Sequence, residues 1–171
     1  CESFIQLLML KALLSLVALT LISYTGHVTA GEGYILQQSY YEDKTNALSL
    51  DQIREEKFTS YSGWLAKGYS PSTYWIKLNI RPSDQDLVLR IRPTFTETIQ
   101  LFDAQDANSK RVVGAKYPWR DSDIQSYNHS FKLGVLKQEK EILLRVKSNR
   151  SYLLSFDVMS ISEYLGSDHI D

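Results

Sequence analysis

The sequence holds one cysteine in 171 residues, Cys1, so nothing after it can close a disulfide within the chain. Whatever folds here must rely on a hydrophobic core. Histidine is almost as scarce: His27 falls in an apolar leader, His129 in the body and His169 near the end. There is no Cys–His pair, no histidine cluster with metal spacing and no glycine-rich phosphate loop. Asp121 with Asp123, and Glu55 with Glu56, read as solvated acidic positions rather than as an acid and its base. Asp103 and Asp106 lack the acidic density and terminal glutamate of an EF-hand loop. No catalytic residue, no metal and no cofactor is therefore expected, and the chain does not read as an enzyme. Net charge is −1, which gives no global attraction to nucleic acid or anionic membrane. Eight glycines and four prolines stand against eleven tyrosines, a balance that suits a β-rich globular domain and not a disordered one.

Long hydrophobic runs are also few. One runs from Leu7 to Ile22, interrupted by Lys11, and is shorter than the ~20 residues a bilayer-spanning helix needs. A polar stretch follows and ends in Val28-Thr29-Ala30. This order predicts an export signal over residues 1–30, cleaved between Ala30 and Gly31; an uncleaved membrane anchor is the other reading. Cys1 stands ahead of the apolar run, whereas a lipoprotein cysteine follows one. An exported domain without disulfides fits a bacterial envelope protein. Asn128-His129-Ser130 and Asn149-Arg150-Ser151 match the glycosylation triplet by chance.

What remains is organised as short strands. An opening strand is expected over 32–43. The one helix signal is "ALSLDQIREEKF", where Ser49 can cap, Gln52 completes a capping box and Leu50 and Ile53 share a face. Further strands are expected over 73–80, 87–92, 98–102, 111–115, 126–133, 142–146 and 154–161. Turn-rich clusters such as "RPSDQD", "DAQDANSK", "YPWRDSD" and "KSNRS" separate them. Strands recurring about every ten residues predict an all-β sandwich or jelly roll with one short helix near its N-terminal end. With no repeat or linker, 31–162 reads as one domain and 163–171 as an exit segment.

Three strands carry polar or cationic residues opposite an apolar face. Trp75, Lys77 and Asn79 oppose Tyr74, Ile76, Leu78 and Ile80. Arg90 and Arg92 oppose Leu87, Leu89 and Ile91, and Arg145 and Lys147 oppose Ile142, Leu144 and Val146. If these strands share a sheet, its outer surface is basic with Trp75 at one end. That surface is either an ordinary solvated face or a groove for a sugar or anion, because arginine forks carboxylate and phosphate and an aromatic ring covers a sugar's apolar side. The second candidate is the loop "KYPWRDSD", where Tyr117, Trp119 and Arg120 either cap the core or bind a ligand at the end of the sandwich. Trp64 and Leu65 are expected to plug the sandwich.

Between about Tyr34 and Ile161, the order of "LSLDQI", "YWIKLNI", "LVLRIRPTFTETIQLFDA" and "EILLRVKSNRSYLLSFDV" resembles a known family. It is that of the type 2 extracellular sensor domains of bacterial seven-transmembrane receptors with diverse intracellular signalling modules. The resemblance implies a jelly roll like carbohydrate-binding modules, on the periplasmic side of the inner membrane. It further implies a seven-transmembrane region and a cytoplasmic output domain in the full-length chain, and a small-molecule or carbohydrate ligand. It supplies no ligand residues. A secreted carbohydrate-binding module tethering an enzyme to a polysaccharide is the alternative.

Overall fold

The computed structural model describes residues 33–103, 106–118, 120 and 122–167. The expected signal segment, Trp119, Asp121 and His169 lie outside the described residues. Ten strands and two short helices follow one another: β1 (Ile35–Asp43), α1 (Leu50–Arg54), β2 (Thr59–Ser60), β3 (Leu65–Tyr69), β4 (Thr73–Ile80), β5 (Ser83–Arg92), β6 (Thr98–Asp103), β7 (Asp106–Val113), β8 (His129–Leu136), β9 (Lys140–Lys147), β10 (Ser151–Ser160) and α2 (Ile161–Ser167).

One sheet runs β2-β1-β4-β9-β6-β7 and the other β3-β10-β5-β8, with antiparallel pairing throughout. From β2 onward every connection crosses between sheets except the β6–β7 hairpin, which is the alternation that closes a jelly-roll sandwich. The apolar faces expected for β4, β5 and β9 are the ones that meet inside. Tyr74, Ile76, Leu78 and Ile80 join Leu87, Leu89, Ile91, Ile142, Leu144 and Val146, with Phe131, Tyr152 and Leu154 between them. Tyr152 carries its hydroxyl into this core by donating to Ser72 O at 2.7 Å and accepting from Ser148 N at 2.9 Å, so the polar end is satisfied.

The helix α1 has the expected cap: Gln52 N donates to Ser49 Oγ at 3.3 Å and Ser49 N to Gln52 Oε1 at 2.9 Å. Three features differ from expectation. The two-residue β2 and the five-residue β3 lie where only loop was read, and of the pair expected to plug the core only Leu65 does so; Trp64 is 50% exposed. Leu65 pairs opposite Leu154 on β10, which turns the Trp64 ring outward. The exit segment begins as a helix, α2, packed on β5 and β10. Its start is another capping box, with Glu163 N donating to Ser160 Oγ at 3.3 Å and Ser160 N donating to Glu163 Oε2 at 2.8 Å. Among the described residues no helix is long and apolar enough to cross a membrane.

Candidate functional site

The three cationic strands do not share a sheet. β4 and β9 are neighbours in the six-stranded sheet, with Trp75 opposite Arg145 and Lys77 opposite Leu143. β5 lies in the other sheet, between β10 and β8. Arg90 and Arg92 therefore face away from one side of the sandwich, and Trp75, Lys77 and Arg145 from the other. The continuous basic surface that a shared sheet would give does not form, because the jelly-roll crossing sends β4 and β5 to opposite layers.

Each of these residues already has a partner. Trp75 is 1% exposed and forms a second, smaller core with Ile53 and Leu143, flanked by Tyr41, Leu48, Phe58 and Phe102. The α1 segment covers this part of the sheet's outer face, which explains a tryptophan on the polar side of β4. Lys77 lies 4.5 Å above the Phe58 ring and 3.8 Å from Glu141. Arg145 donates to Asn46 O at 3.0 Å and Lys147 to Asn46 Oδ1 at 2.6 Å. These two cations fasten the turn at Asn46, whose φ is 60°. The carboxylate of Asp43 anchors the same turn, accepting from Thr45 Oγ1 at 2.6 Å, Asn46 N at 2.9 Å and Leu48 N at 3.1 Å. Burial alone would raise its pKa, but these hydrogen bonds outweigh burial and hold it below the ordinary 3.8. On the opposite side, Arg90 and Arg92 reach the same Asp157 oxygen at 3.4 and 2.9 Å, and Arg92 sits 5.5 Å from the Trp64 ring.

The β7–β8 connection is different. Gly114 opens it at φ 142°, where a Cβ would lie 2.4 Å from Glu97 O. Ala115 N donates to Thr96 O at 2.8 Å and Tyr117 N to Gly114 O at 2.9 Å; Lys116 pairs with Glu97. Further on, Asp123 accepts from Arg111 at 2.6 Å and from Lys132 N at 3.0 Å. Between these anchors the connection lines a partly open cavity of about 590 Å³. Tyr117, Pro118 and Tyr127 supply its apolar surface, and Ser122, Gln125, Asn128 and His129 its polar groups. Tyr127 is 95% and Tyr117 43% exposed. No described residue of the lining carries a formal charge. Burial favours neutral His129 and lowers its pKa below the usual 6.5, against the backbone hydrogen bonds of Thr94 and Thr96. Its Nε2 is buried with no protein partner.

Of the sequence candidates, Tyr117 lines this cavity. Arg120 is exposed and does not belong to its lining. Tyr127 and Asn128 fall inside the strand expected from Ser126, which hides them as site residues, and Gln125 lies just before it, where no motif marks it. The strand begins only at His129, after Asn128 N folds back on Ser126 Oγ at 3.1 Å. The Ser-x-Asn spacing was the available signal for that turn. A second hollow, of about 620 Å³, lies between β1 and β10, but its Arg90 and Asp157 pair with each other. Among the described residues no group of acidic, histidine or cysteine side chains could hold a metal.

No curated protein matches the chain. Among solved structures, a GH31 alpha-xylosidase from Xanthomonas citri is similar at 12% identity, with a TM-score of 0.30 over 75% of this chain. The chain spans only 14% of that enzyme, and at this level the similarity carries no argument. A family model does match, that of the 7TMR-DISM extracellular 2 domain, over residues 37–160, from within β1 to the end of β10. The chain belongs to the 7TMR-DISM extracellular 2 family, extracellular sensor domains of seven-transmembrane receptors.

Proposed function

We propose that this is the ligand-sensing domain of a bacterial receptor at the periplasmic face of the inner membrane, and that its ligand is an uncharged carbohydrate held in the β7–β8 cavity. What supports the reading is the cavity's lining: two accessible tyrosine rings beside amide and hydroxyl groups, without a described charge. Rings cover the apolar face of a sugar, while amides and hydroxyls match its hydroxyl groups. About 590 Å³ lies within the range of small-ligand sites. The basic residues give an anionic ligand less support, since Arg90, Arg92, Arg145 and Lys77 are engaged within the fold. Sensing then requires the sugar to bind one arrangement of domain and membrane region better than another.

The test is a thermal-shift screen against neutral and anionic glycans. A neutral glycan is expected to raise the melting temperature of the wild type. Tyr127→Ala, at an exposed position that keeps the fold, should abolish that rise, whereas Arg92→Ala should preserve it. A hit confined to anionic glycans, or one indifferent to Tyr127, would overturn the proposal.

A further inference from the structure

The cavity loop and the C-terminal helix meet at one buried hydroxyl pair. Tyr164, the central residue of α2, has no exposed surface, and its phenol donates to Ser126 Oγ at 2.8 Å. Ser126 is itself 8% exposed and lines the ligand cavity, where its Oγ also accepts from Asn128 N. One side-chain oxygen thus sets the turn that places Tyr127 and Asn128 and also receives the phenol of α2. The helix is short, so its own backbone hydrogen bonds hold it weakly. It is held instead by its cap at Ser160, by Tyr164, and by Ser167 Oγ, which donates to Tyr164 O at 2.8 Å and accepts from Arg90 at 3.4 Å.

We infer that the Tyr164–Ser126 pair couples occupancy of the β7–β8 cavity to the docking of α2, so that the helix is the element through which the domain reports its ligand. The inference rests on the sensor reading for its biological direction, but the coupling belongs to the fold and exists without ligand. A sugar that orders the Ser126–Asn128 turn fixes the acceptor of Tyr164 and tightens α2. By reciprocity, whatever pulls on α2 changes the affinity of the cavity. The arrangement also accounts for a tyrosine at the middle of a seven-residue helix. A phenylalanine would lack the hydroxyl that bonds Ser126.

Hydrogen–deuterium exchange on the ligand-free chain tests this directly. Ser126→Ala should raise exchange across 161–167, and Tyr164→Phe should raise it across 122–128, each by roughly fivefold, the effect of losing one ordinary hydrogen bond. Ser167→Ala loosens α2 without removing the Tyr164–Ser126 bond, so by reciprocity it should also raise exchange across 122–128, and should cease to do so once Tyr164→Phe has removed the link. If Ser126→Ala leaves α2 as protected as the wild type, or if Ser167→Ala raises exchange across 122–128 equally with and without the Tyr164 hydroxyl, the coupling is refuted. Because no sugar enters this experiment, a failed glycan screen removes the proposed ligand without touching the coupling, and the converse also holds.

Discussion

Replacing Trp75 by alanine separates a packing tryptophan from a ligand platform. The ring lies between the six-stranded sheet and α1, with its centroid 5.7 Å from that of Phe102 and Ile53 and Leu143 fully buried beside it. Truncating a buried tryptophan costs about 3–5 kcal/mol through lost transfer energy and the cavity left behind. Against a total stability of about 5–15 kcal/mol, that is a large fraction. A loss of about 4 kcal/mol should lower the urea midpoint by roughly 2 M, read by far-UV circular dichroism so that the lost fluorophore does not matter. Trp75→Phe should behave differently. It gives up part of the volume, but it also removes an indole Nε1 that is buried with no protein partner; leaving such a donor unsatisfied costs about 1–3 kcal/mol. The two effects oppose, and the phenylalanine variant should fall within about 1 kcal/mol of the wild type. Trp75→Ala should also be non-additive with Ile53→Ala, because both empty the same small core. An unmoved midpoint for Trp75→Ala would refute the burial argument, and loss of a glycan hit without loss of stability would restore Trp75 as a ligand residue.

Two further changes follow from the same geometry. Gly114→Ala forces a side chain onto the backbone of Glu97 at a φ of 142°, so it should cost about 1–3 kcal/mol or displace the loop. Sugar binding should fall with it, and a variant as stable and as active as the wild type would mean that the turn is not fixed as described. His129 should make stability pH-dependent in a defined window. Its folded pKa lies below 6.5 because of burial, so beneath 6.5 the unfolded chain binds a proton that the folded chain resists. Stability therefore falls as pH drops through 6.5 toward the folded value. The depressed carboxylates Glu42, Asp43 and Glu163 lose their contributions only below their ordinary 4.5, 3.8 and 4.5. A melting temperature that falls between about pH 7 and pH 5 in the wild type, and falls less in His129→Gln, is expected. A flat profile in the wild type would contradict it.

The sequence revealed the layers of this fold better than it revealed which strand belongs to which layer. Period-two alternation in "TYWIKLNI", "DLVLRIR" and "EILLRVK" identifies inward faces without error, because a one-residue slip would turn every apolar residue to solvent. Alternation says nothing about sheet membership, which is fixed by pairings between distant residues such as Trp75 with Arg145 and Arg90 with Asp157. The basic surface drawn from three strands failed on that point. Trp75 illustrates a related limit. On an isolated strand it sits on the polar side, and only the short α1 segment folding over the sheet makes that side a core. The capping box of α1 is legible from Ser49 and Gln52, whereas the same device at Ser160 and Glu163 is hidden, because the strand expected over 154–161 runs through Ser160.

The candidate site was half visible for a physical reason. Aromatics among turn residues in "KYPWRDSD" have no strand periodicity to satisfy, which is what drew attention to Tyr117. Its counterpart Tyr127 lies ten residues on, in a stretch whose composition reads as strand, and joins the site only because Ser126 ends the turn with a side-chain acceptor. That same acceptor is where Tyr164 arrives. A serine of small volume at 8% exposure would ordinarily be read as filler between a loop and a strand. Here it is shared by the β7–β8 cavity and α2, which is what a sensor of the proposed kind requires. Binding energy released at the loop end can bias a distant element through atoms whose position both sites depend on. The Ser126–Tyr164 pair is such a group.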